Sequence, residues 1–442
     1  MFRRNQVFGL RCAVLALAAC NAAAGEPNGV PAVAAPVVAI QAGATTTTSL
    51  KQAFDAAWLR QPEALSQQTR LDAAAAQHEA ASRWTPEPVA LELSTKTDRL
   101  NQNLGRDETV AGISIPLWLP GERTRTVAVA DAQVRAASSR VRAAQLRTAA
   151  SVREAFWAWQ RARVDLALAT ELLGHAQLLA QDVAKRVLAG DLARADQHQA
   201  DGAVAGAQVA LAEATSAMAL ATQRLRALTG EVPPAATAIP FYATAVAEPL
   251  PAAVPSVPTD AGAQDARHPA LAVLQDSAEV AQRSADLAQA QTRANPELTL
   301  ATSRDRGQLN EAYQSSITLG IRIPLGSDSR NRAKGASAQA DAIEAEALLR
   351  MERERVRSEV DAALVGLESA QTQLQASQQR ALLARESRAF FQKSYRMGET
   401  DLPTRLRIER EAMDAERQAA RAGIALAAAQ STLRQTLGLL PQ

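Results

Sequence analysis

Residues 113–117 read Ile-Ser-Ile-Pro-Leu, and residues 321–325 read Ile-Arg-Ile-Pro-Leu. Pro324 lies 208 residues after Pro116. The same offset relates three further landmarks: Pro88 and Pro296, Gly190 and Gly398, and the segments 225–230 and 433–438, which share Leu-Arg and a closing Gly. Separated landmarks in one register indicate an internal duplication, so we predict two copies of one structural unit at residues 50–230 and 265–442.

The segment between the two copies, residues 231–264, holds seven prolines and shows no helical periodicity. Proline lacks a backbone donor and restricts the residue before it, so such a segment continues neither a helix nor a sheet. We predict a connector that carries the second copy to its place beside the first.

The N-terminus predicts export from the cytoplasm. Arginines precede a short apolar stretch within residues 1–24, which is the pattern of a signal peptide and too short for a helix that spans a bilayer. Leu17-Ala18-Ala19-Cys20 resembles a bacterial lipobox and predicts acylation of Cys20. Ordinary cleavage after the alanines at 22–24 is the alternative. Residues 25–49 then form an N-terminal extension.

The composition favours long helices packed closely side by side. Aromatic residues make up 3% of the chain, and alanine, which combines high helix propensity with little bulk, dominates the 47% that is apolar. Lys and Arg number 48 against 46 Asp and Glu, and these charges are spread along the chain. This balance argues against a nucleic-acid partner.

The sequence pattern of each copy predicts the same order of elements: a first helix (about 50–83 and about 265–293), two strands, a very long helix, a glycine turn and a return helix. The long helix at about 123–189 contains no proline and would extend roughly 100 Å. Its apolar seam repeats every seven residues, with Val152, Trp159, Leu166, Leu173, Ala180 and Val187 alternating with Ala155, Ala162, Ala169, Ala176 and Val183. Such heptads predict left-handed coiled coils, and Arg388 alone breaks the matching seam of copy two.

The strands are predicted from alternation of apolar with small or polar side chains. They lie at residues 89–95, 111–117, 298–300 and 317–323. Period two predicts two different faces, as in a membrane barrel whose apolar row faces lipid; a soluble sheet layered on helices is the alternative. Four strands cannot close a barrel, since single-chain barrels begin at about eight. We therefore predict a cylinder shared by several chains.

The duplicated order of elements resembles the TolC-like outer membrane efflux proteins over about 50–440. The phrase Pro-Leu-Trp-Leu-Pro-Gly-Glu-Arg at 116–123 is similar to a junction of the CzcC-like heavy-metal branch, and Tyr-Arg-Met-Gly-Glu at 395–399 is similar to the family's periplasmic tip. The resemblance implies a mainly α fold with a small β part. Long antiparallel helices form an α-barrel, and four strands per chain contribute to a shared transmembrane β-barrel.

The resemblance also implies function and partners. Such proteins are homotrimers of the outer membrane whose helical part lies in the periplasm. They passively conduct substrate received from a periplasmic adaptor (membrane fusion protein) and an inner-membrane RND-type pump, and the cargo would be heavy-metal cations or drugs.

By position, the resemblance assigns the two glycine turns to the adaptor contact. The residues carried over are Val187, Leu188, Gly190, Asp191 and Leu192 in copy one and Arg396, Met397, Gly398 and Glu399 in copy two. Asp196 and Tyr395 match positions that hold the closed end of the tunnel together. The alternative is that Asp196 caps the return helix and Tyr395 fills the seam.

The chain departs from the family pattern at the tunnel end. Where members related to the best-known example carry two acidic residues after the second glycine, this sequence has Thr404 and Arg407. Thr404 and Arg407 are candidates for tunnel closure because they occupy these family positions. Asp401 is a further candidate, because it and Glu399 are acidic residues close by. A cation-selecting acidic ring is not predicted.

No residue set in the sequence points to catalysis, a cofactor or a metal site. The four histidines, at 78, 175, 198 and 268, lack metal-ligand spacing, and no phosphate-binding glycine loop or GxSxG motif occurs. We expect no enzyme activity. The competing classes are a periplasmic adaptor, which the duplication argues against, and a coiled-coil scaffold, which leaves the paired strands unexplained.

Overall fold

The computed structural model describes residues 49–101, 103–231, 267–325 and 328–442. All of them fall within one compact unit, Ala44–Gln442. The predicted export signal with Cys20, nearly all of the N-terminal extension and residues 232–264 of the predicted connector lie outside the described residues.

Both copies follow the predicted order of elements. Copy one contains α1 (Leu50–Leu59), α2 (Pro62–Ala81), β1 (Ala90–Thr97), β2 (Asp107–Pro116), α3 (Glu122–Ala189) and α4 (Arg194–Thr229). Copy two contains α5 (Pro269–Ala290), β3 (Glu297–Arg306), β4 (Gln314–Arg322), α6 (Asp328–Arg396) and α7 (Leu402–Thr436). The long helices α3 and α6 have 68 and 69 residues, so each is a rod of roughly 100 Å.

The first helix of copy one differs from the prediction, because two helices stand where one was expected over 50–83. Gln61 leaves the helical conformation with ψ 137°, and Pro62 occupies the first turn of α2. Proline is tolerated in a first turn, where its missing N–H has no intrahelical acceptor, but it breaks a helix interior. In copy two, Pro269 stands at the start of α5, and that helix continues to Ala290 without a break.

The helices pack as long antiparallel neighbours. α3 pairs with α4 and α6 pairs with α7, which gives one hairpin per copy, and α5 packs against both α3 and α6. α7 also contacts α3, so the two hairpins meet directly. Among the described helices, α4 has the length and hydropathy of a membrane span, but it lies along α3 as the second arm of a hairpin.

The predicted heptad seam of α3 is followed only in part. Val152 and Trp159 are buried as predicted, whereas Leu166 is partly exposed and Leu168 and Leu179 occupy buried positions nearer the turn. A straight α-helix drifts by about 20° per heptad relative to a strict seven-residue repeat. Over a rod of this length, that drift brings new residues into the core.

The main core lies where α1 packs on the first hairpin. It gathers aromatic side chains of α3, and the rings of Phe156 and Trp157 meet edge to face with centroids 5.2 Å apart. Phe54 of α1 and Ile424 of α7 belong to the same cluster. This core therefore lies where four helices, α1, α3, α4 and α7, converge.

The four described strands form one antiparallel sheet in the order β1-β2-β3-β4. The register places apolar residues opposite one another, Leu91 with Ile113, Ile113 with Leu300 and Leu300 with Leu319. This row is largely exposed, with Leu91 at 77% and Leu319 at 71%. β1 and β4 are the edges of the sheet, so their outer hydrogen-bonding groups have no partner strand among the described residues.

A buried carboxylate joins the two copies where α3 begins. Glu122 is 2% exposed and accepts hydrogen bonds from the Leu119 backbone N–H at 3.0 Å and from the side-chain amides of Gln291 at 2.7 Å and Asn295 at 3.1 Å. A buried charge is costly unless it is hydrogen-bonded. Because two of these partners follow the end of α5, Glu122 positions the two strand pairs side by side.

Candidate functional site

The turns at Gly190 and Gly398 have the same backbone geometry. φ is +87° at Gly190 and +80° at Gly398, a left-handed conformation that glycine adopts without steric cost. After each glycine, the next N–H donates to the carbonyl five residues earlier, at 2.9 Å in copy one and 3.1 Å in copy two. This is the pattern of a Schellman cap, which ends a helix and reverses the chain. Each hairpin therefore closes in the same way.

The surface at these turns is open and partly apolar. A Cβ added at either glycine would have no atom within 4 Å. Leu188 is 89% exposed and Met397 is 57% exposed. Asp191, Arg396 and Glu399 are also exposed, whereas Val187 and Leu192 pack in part against the buried cluster behind the turns. Most of the residues predicted to face a partner are thus accessible, and two of them serve the core as well.

The return helices begin with carboxylate caps. Asp196 Oδ2 accepts the backbone N–H of Ala193 at 3.1 Å at the start of α4, and Asp401 Oδ1 accepts that of Thr404 at 3.3 Å at the start of α7. A carboxylate at a helix N-terminus satisfies a free donor and interacts favourably with the helix dipole. The structure therefore places Asp196 as a helix cap, which is one of the two roles considered from the sequence.

Tyr395 lies in a buried cluster that joins the two hairpins, the tip core. Its partners there are Leu179, Val183, Ala200, Leu402 and Leu406. The side chain is 2% exposed, and its ring lies between two guanidinium groups, with Arg186 Cζ 4.8 Å and Arg405 Cζ 4.7 Å from the ring centroid. Arg186 belongs to α3 and Arg405 to α7, so this stack connects copy one to copy two.

Burial in the tip core also shifts the pKa values of two side chains. Desolvation raises the pKa of the Tyr395 hydroxyl and lowers the pKa of Arg405. Both shifts have the same physical cause, because removing water disfavours a phenolate as well as a guanidinium. The sequence pattern did not single out Arg186 or Arg405, since arginines occur all along these helices.

Acidic residues on α7, the other arm of its own hairpin, explain Arg388, the residue that breaks the predicted seam. Its guanidinium lies 3.6 Å from Glu409 and 3.3 Å from Glu416, and Glu416 also accepts from Arg385 at 2.6 Å. Glu409 in turn lies 3.1 Å from Nδ1 of His175 on α3. A seam arginine is tolerated where acidic partners face it. His175 of copy one thereby contacts copy two.

A cavity of about 870 Å³ lies between the hairpins near these contacts. Its charged lining comprises His175, five arginines (Arg186, Arg388, Arg396, Arg405 and Arg410) and three acids (Asp182, Glu409 and Asp414). Arg407 lies between Arg405 and Arg410 on α7, but its side chain is exposed and pairs with Glu411 at 2.8 Å. Within the described part of the chain, this region carries more positive than negative charge, and no group of three His, Cys, Asp or Glu side chains there is arranged to hold a metal ion.

Comparison with known proteins assigns the family. The family described as outer membrane efflux protein matches residues 53–231 and again residues 263–439, one match per copy. The chain belongs to the outer membrane efflux protein family. A search of curated proteins gave no match.

Solved structures of outer membrane efflux proteins share the fold of this chain. CusC matches with a TM-score of 0.73 at 18% identity over 88% of this chain and 92% of its own. VceC of Vibrio cholerae gives 0.69 at 19% identity over 88% and 96%. The open state of the MtrE channel of Neisseria gonorrhoeae gives 0.71 at 18% identity over 88% and 89%. Identities this low establish the fold and nothing finer.

The family assignment explains the architecture. As an outer membrane efflux protein, the chain is the outer-membrane channel of a tripartite efflux system. It is a homotrimer that works with a periplasmic adaptor and an inner-membrane RND-type pump. The four strands of each chain contribute to one shared β-barrel, and the helices form an α-barrel in the periplasm. The predicted fold, localisation and partners are thus confirmed.

Proposed function

We propose that this efflux channel is a passive duct without catalytic activity, and that the two glycine turns form its adaptor-facing end. The observation that carries the proposal is the repetition of one turn geometry at the ends of two parallel-running hairpins, with exposed apolar side chains at Leu188 and Met397. Exposed apolar groups on a rigid turn suit contact with a protein partner.

We further propose that the tip core around Tyr395 holds the two hairpins together and thereby keeps the periplasmic end of the tunnel narrow. The support is the burial of Tyr395 between α3 and α7 and the pair of arginines on its ring. Opening would require α6 and α7 to move away from α3, and that movement would expose the ring.

The charge near the tip bears on the choice of cargo. A duct that attracted cations by itself would present carboxylates, whereas the cavity between the hairpins is lined by more arginines than acids. We therefore assign selection between heavy-metal cations and drugs to the pump and not to this chain.

The tip proposal is tested by conductance. Tyr395→Ala removes a buried aromatic side chain and should weaken the tip core by about 3–5 kcal/mol, so trimers in planar bilayers should show a higher single-channel conductance. Tyr395→Phe is the control, because the Tyr395 hydroxyl has no hydrogen-bond partner among the described residues. Equal conductance of assembled Tyr395→Ala and wild-type trimers would contradict the proposal.

The lipid anchor at Cys20, outside the described residues, remains a proposal from the sequence. It predicts that labelled fatty acid is incorporated into the wild-type protein and not into Cys20→Ser. Labelling of the variant at the wild-type level would remove the anchor and leave cleavage after the alanines at 22–24.

A further inference from the structure

The sheet carries aromatic residues at both ends of its apolar face. Trp84, which is 91% exposed, and Trp118 lie beside the helical end, and Tyr313 lies just before β4 at the opposite end. Aromatic residues at both ends of an apolar band mark the two interfaces of a membrane. Because the helices are periplasmic, Tyr313 lies at the interface facing the cell exterior.

Two arginines share this outer interface with Tyr313. Arg304 and Arg306 follow Leu298 and Leu300 at two-residue steps along β3, so they lie on the same, lipid-facing side of the sheet. Arg304 Cζ is 4.3 Å and Arg306 Cζ 4.8 Å from the centre of the Tyr313 ring. An arginine on the lipid-facing surface of a barrel destabilises it far less near an interface than at the bilayer centre.

The acidic groups nearby form no ion pair with Arg304 or Arg306 within the described residues. Asp107 faces the same side, but it accepts the Tyr313 hydroxyl at 3.3 Å and lies 3.8 Å from Arg99. Arg306 donates through Nε to the Gly105 carbonyl at 3.0 Å. Arg304 makes no hydrogen bond or ion pair within the described residues, so its donors point to the surrounding medium.

Two other carboxylates of these loops are engaged with backbone groups. Asp98 accepts the N–H of Leu104 at 2.8 Å, and Glu311 accepts those of Gly307 and Gln308 at 2.9 and 3.1 Å. Both keep their negative charge, but neither forms an ion pair with Arg304 or Arg306 within the described residues.

Assembly does not cover this patch. β3 is hydrogen-bonded to β2 on one side and to β4 on the other, so its neighbours belong to its own chain. Closure of the barrel uses the edges at β1 and β4. The lipid-facing side of β3 therefore remains at the membrane surface in the trimer.

We propose that Arg304, Arg306 and Tyr313 bind the phosphate group of a lipid headgroup in the outer leaflet, one lipid per protomer. Guanidinium groups form paired hydrogen bonds to phosphate oxygens, and the face of the Tyr313 ring holds both guanidinium groups in place beforehand. The acyl chains would lie along the apolar row that includes Leu300. The inference rests on the family's membrane barrel and is independent of the proposed roles of the tip.

Native mass spectrometry of full-length trimers in detergent tests this site. The probes are a glycolipid carrying phosphate on its sugar headgroup, the same lipid without phosphate, and inorganic phosphate as a competitor. We expect up to three phosphorylated lipids per trimer and about tenfold weaker binding of the dephosphorylated lipid, as the loss of a charged hydrogen bond implies.

The variants Arg304→Gln and Arg304→Gln/Arg306→Gln should bind the phosphorylated lipid about tenfold more weakly or worse. Arg322→Gln is the matched control, because Arg322 lies on the same sheet at its periplasmic end and pairs with Glu297 at 3.8 Å. Heat-modifiable migration of each sample reports whether the barrel is assembled. If the double variant fails to assemble, Arg304→Gln carries the test, since the Arg304 guanidinium makes no hydrogen bond or ion pair within the described residues.

Three outcomes would overturn the proposal. They are unchanged lipid binding by assembled Arg304→Gln trimers, equal binding of the two lipids, and displacement of the lipid by an equimolar amount of inorganic phosphate. The last would show a site for free phosphate and not for lipid. A change in pump or adaptor coupling is not expected in any arm, so failure here is distinguishable from failure of the tip proposals.

Discussion

At the strand-to-helix junction, Trp118 and Arg123 hold the end of α2. Trp118 Nε1 donates to the carbonyl of Arg83 at 3.3 Å, and Arg123 donates to that of Ser82 at 2.6 Å. Between them stands Glu122, and two of its three hydrogen bonds come from residues that follow the end of α5. The residues that resemble the heavy-metal branch therefore have a structural role at this junction. They do not by themselves identify a metal cargo.

His268 makes stability depend on pH. It is 7% exposed at the start of α5, it lies so close to Gly438 that an added Cβ there would be 2.8 Å from its ring, and burial lowers its pKa. The charged groups that act on it are Glu352, Arg355 and Glu359. A lowered pKa means that the folded protein favours the neutral ring. This contribution to stability is therefore present above about pH 6.5 and is lost as the pH falls towards the folded value.

We predict that acidification from about pH 7.5 to about pH 5.5 lowers the thermal dissociation temperature of the wild-type trimer more than that of His268→Gln. The glutamine is neutral at both values, so the variant lacks the protonation step. The exposed His198 supplies the control, because His198→Gln should keep the wild-type dependence. An identical drop in wild type and His268→Gln would show that this ring does not contribute.

At the scale of elements, the hairpin turns carry the sharpest prediction. Gly190→Pro and Gly398→Pro place a residue restricted to φ of about −65° where φ is +87° or +80°, and they remove an N–H that donates at 3.1 Å in each turn. We expect both variants to lose adaptor cross-linking and drug or metal resistance in cells while trimers still assemble, because the turns lie far from the strands.

Alanine variants show whether a loss of adaptor contact comes from backbone strain in general or from strain at the hairpin turns. Gly190→Ala should cost about 1–2 kcal/mol locally, from the positive φ alone, since a Cβ meets no atom there. Gly121→Ala introduces the same strain at the membrane end of α3, where φ is +75° and the space is also open, and it should leave adaptor contact intact. Normal efflux by both proline variants would refute the assignment of the turns to the adaptor.

At the scale of the assembly, closure must occur between the edge strands of neighbouring chains. The sequence has cysteine only at 12 and 20, so introduced cysteines can report on neighbours. We predict that Ser94→Cys on β1, combined in turn with cysteine at Ser316, Thr318 or Gly320 on β4, yields covalent trimers under oxidation for at least one pair. All of these positions lie on the face away from the apolar row.

The control pairs Ser94→Cys with Thr299→Cys. Thr299 lies on the same face but on β3, which has strands of its own chain on both sides, so no covalent trimer should form. Covalent dimers that never extend to trimers, or a chain that stays monomeric and soluble without detergent, would contradict the shared barrel.

Much of the fold was accessible from periodicity and repetition. The offset of 208 residues predicted two equivalent units, and the structure shows the same order of elements and the same turn at Gly190 and Gly398. Alternation predicted the four strands, and counting them required several chains. These features are local or repetitive, so residue types and their spacing along the chain are enough to predict them. The break at Pro62 was missed, although proline chemistry accounts for it.

The sequence by itself determined the duplicated architecture and the need for oligomerisation, because helix period, strand alternation and strand number do not depend on which distant residues meet. Only the tertiary structure decided the contacts between the copies. Tyr395 between Arg186 and Arg405, Glu122 with its amide donors, and His175 beside Glu409 join residues far apart in the chain. Such pairs arise when helices dock side by side, and a sequence in which arginine and glutamate are plentiful on every helix does not specify which of them will meet.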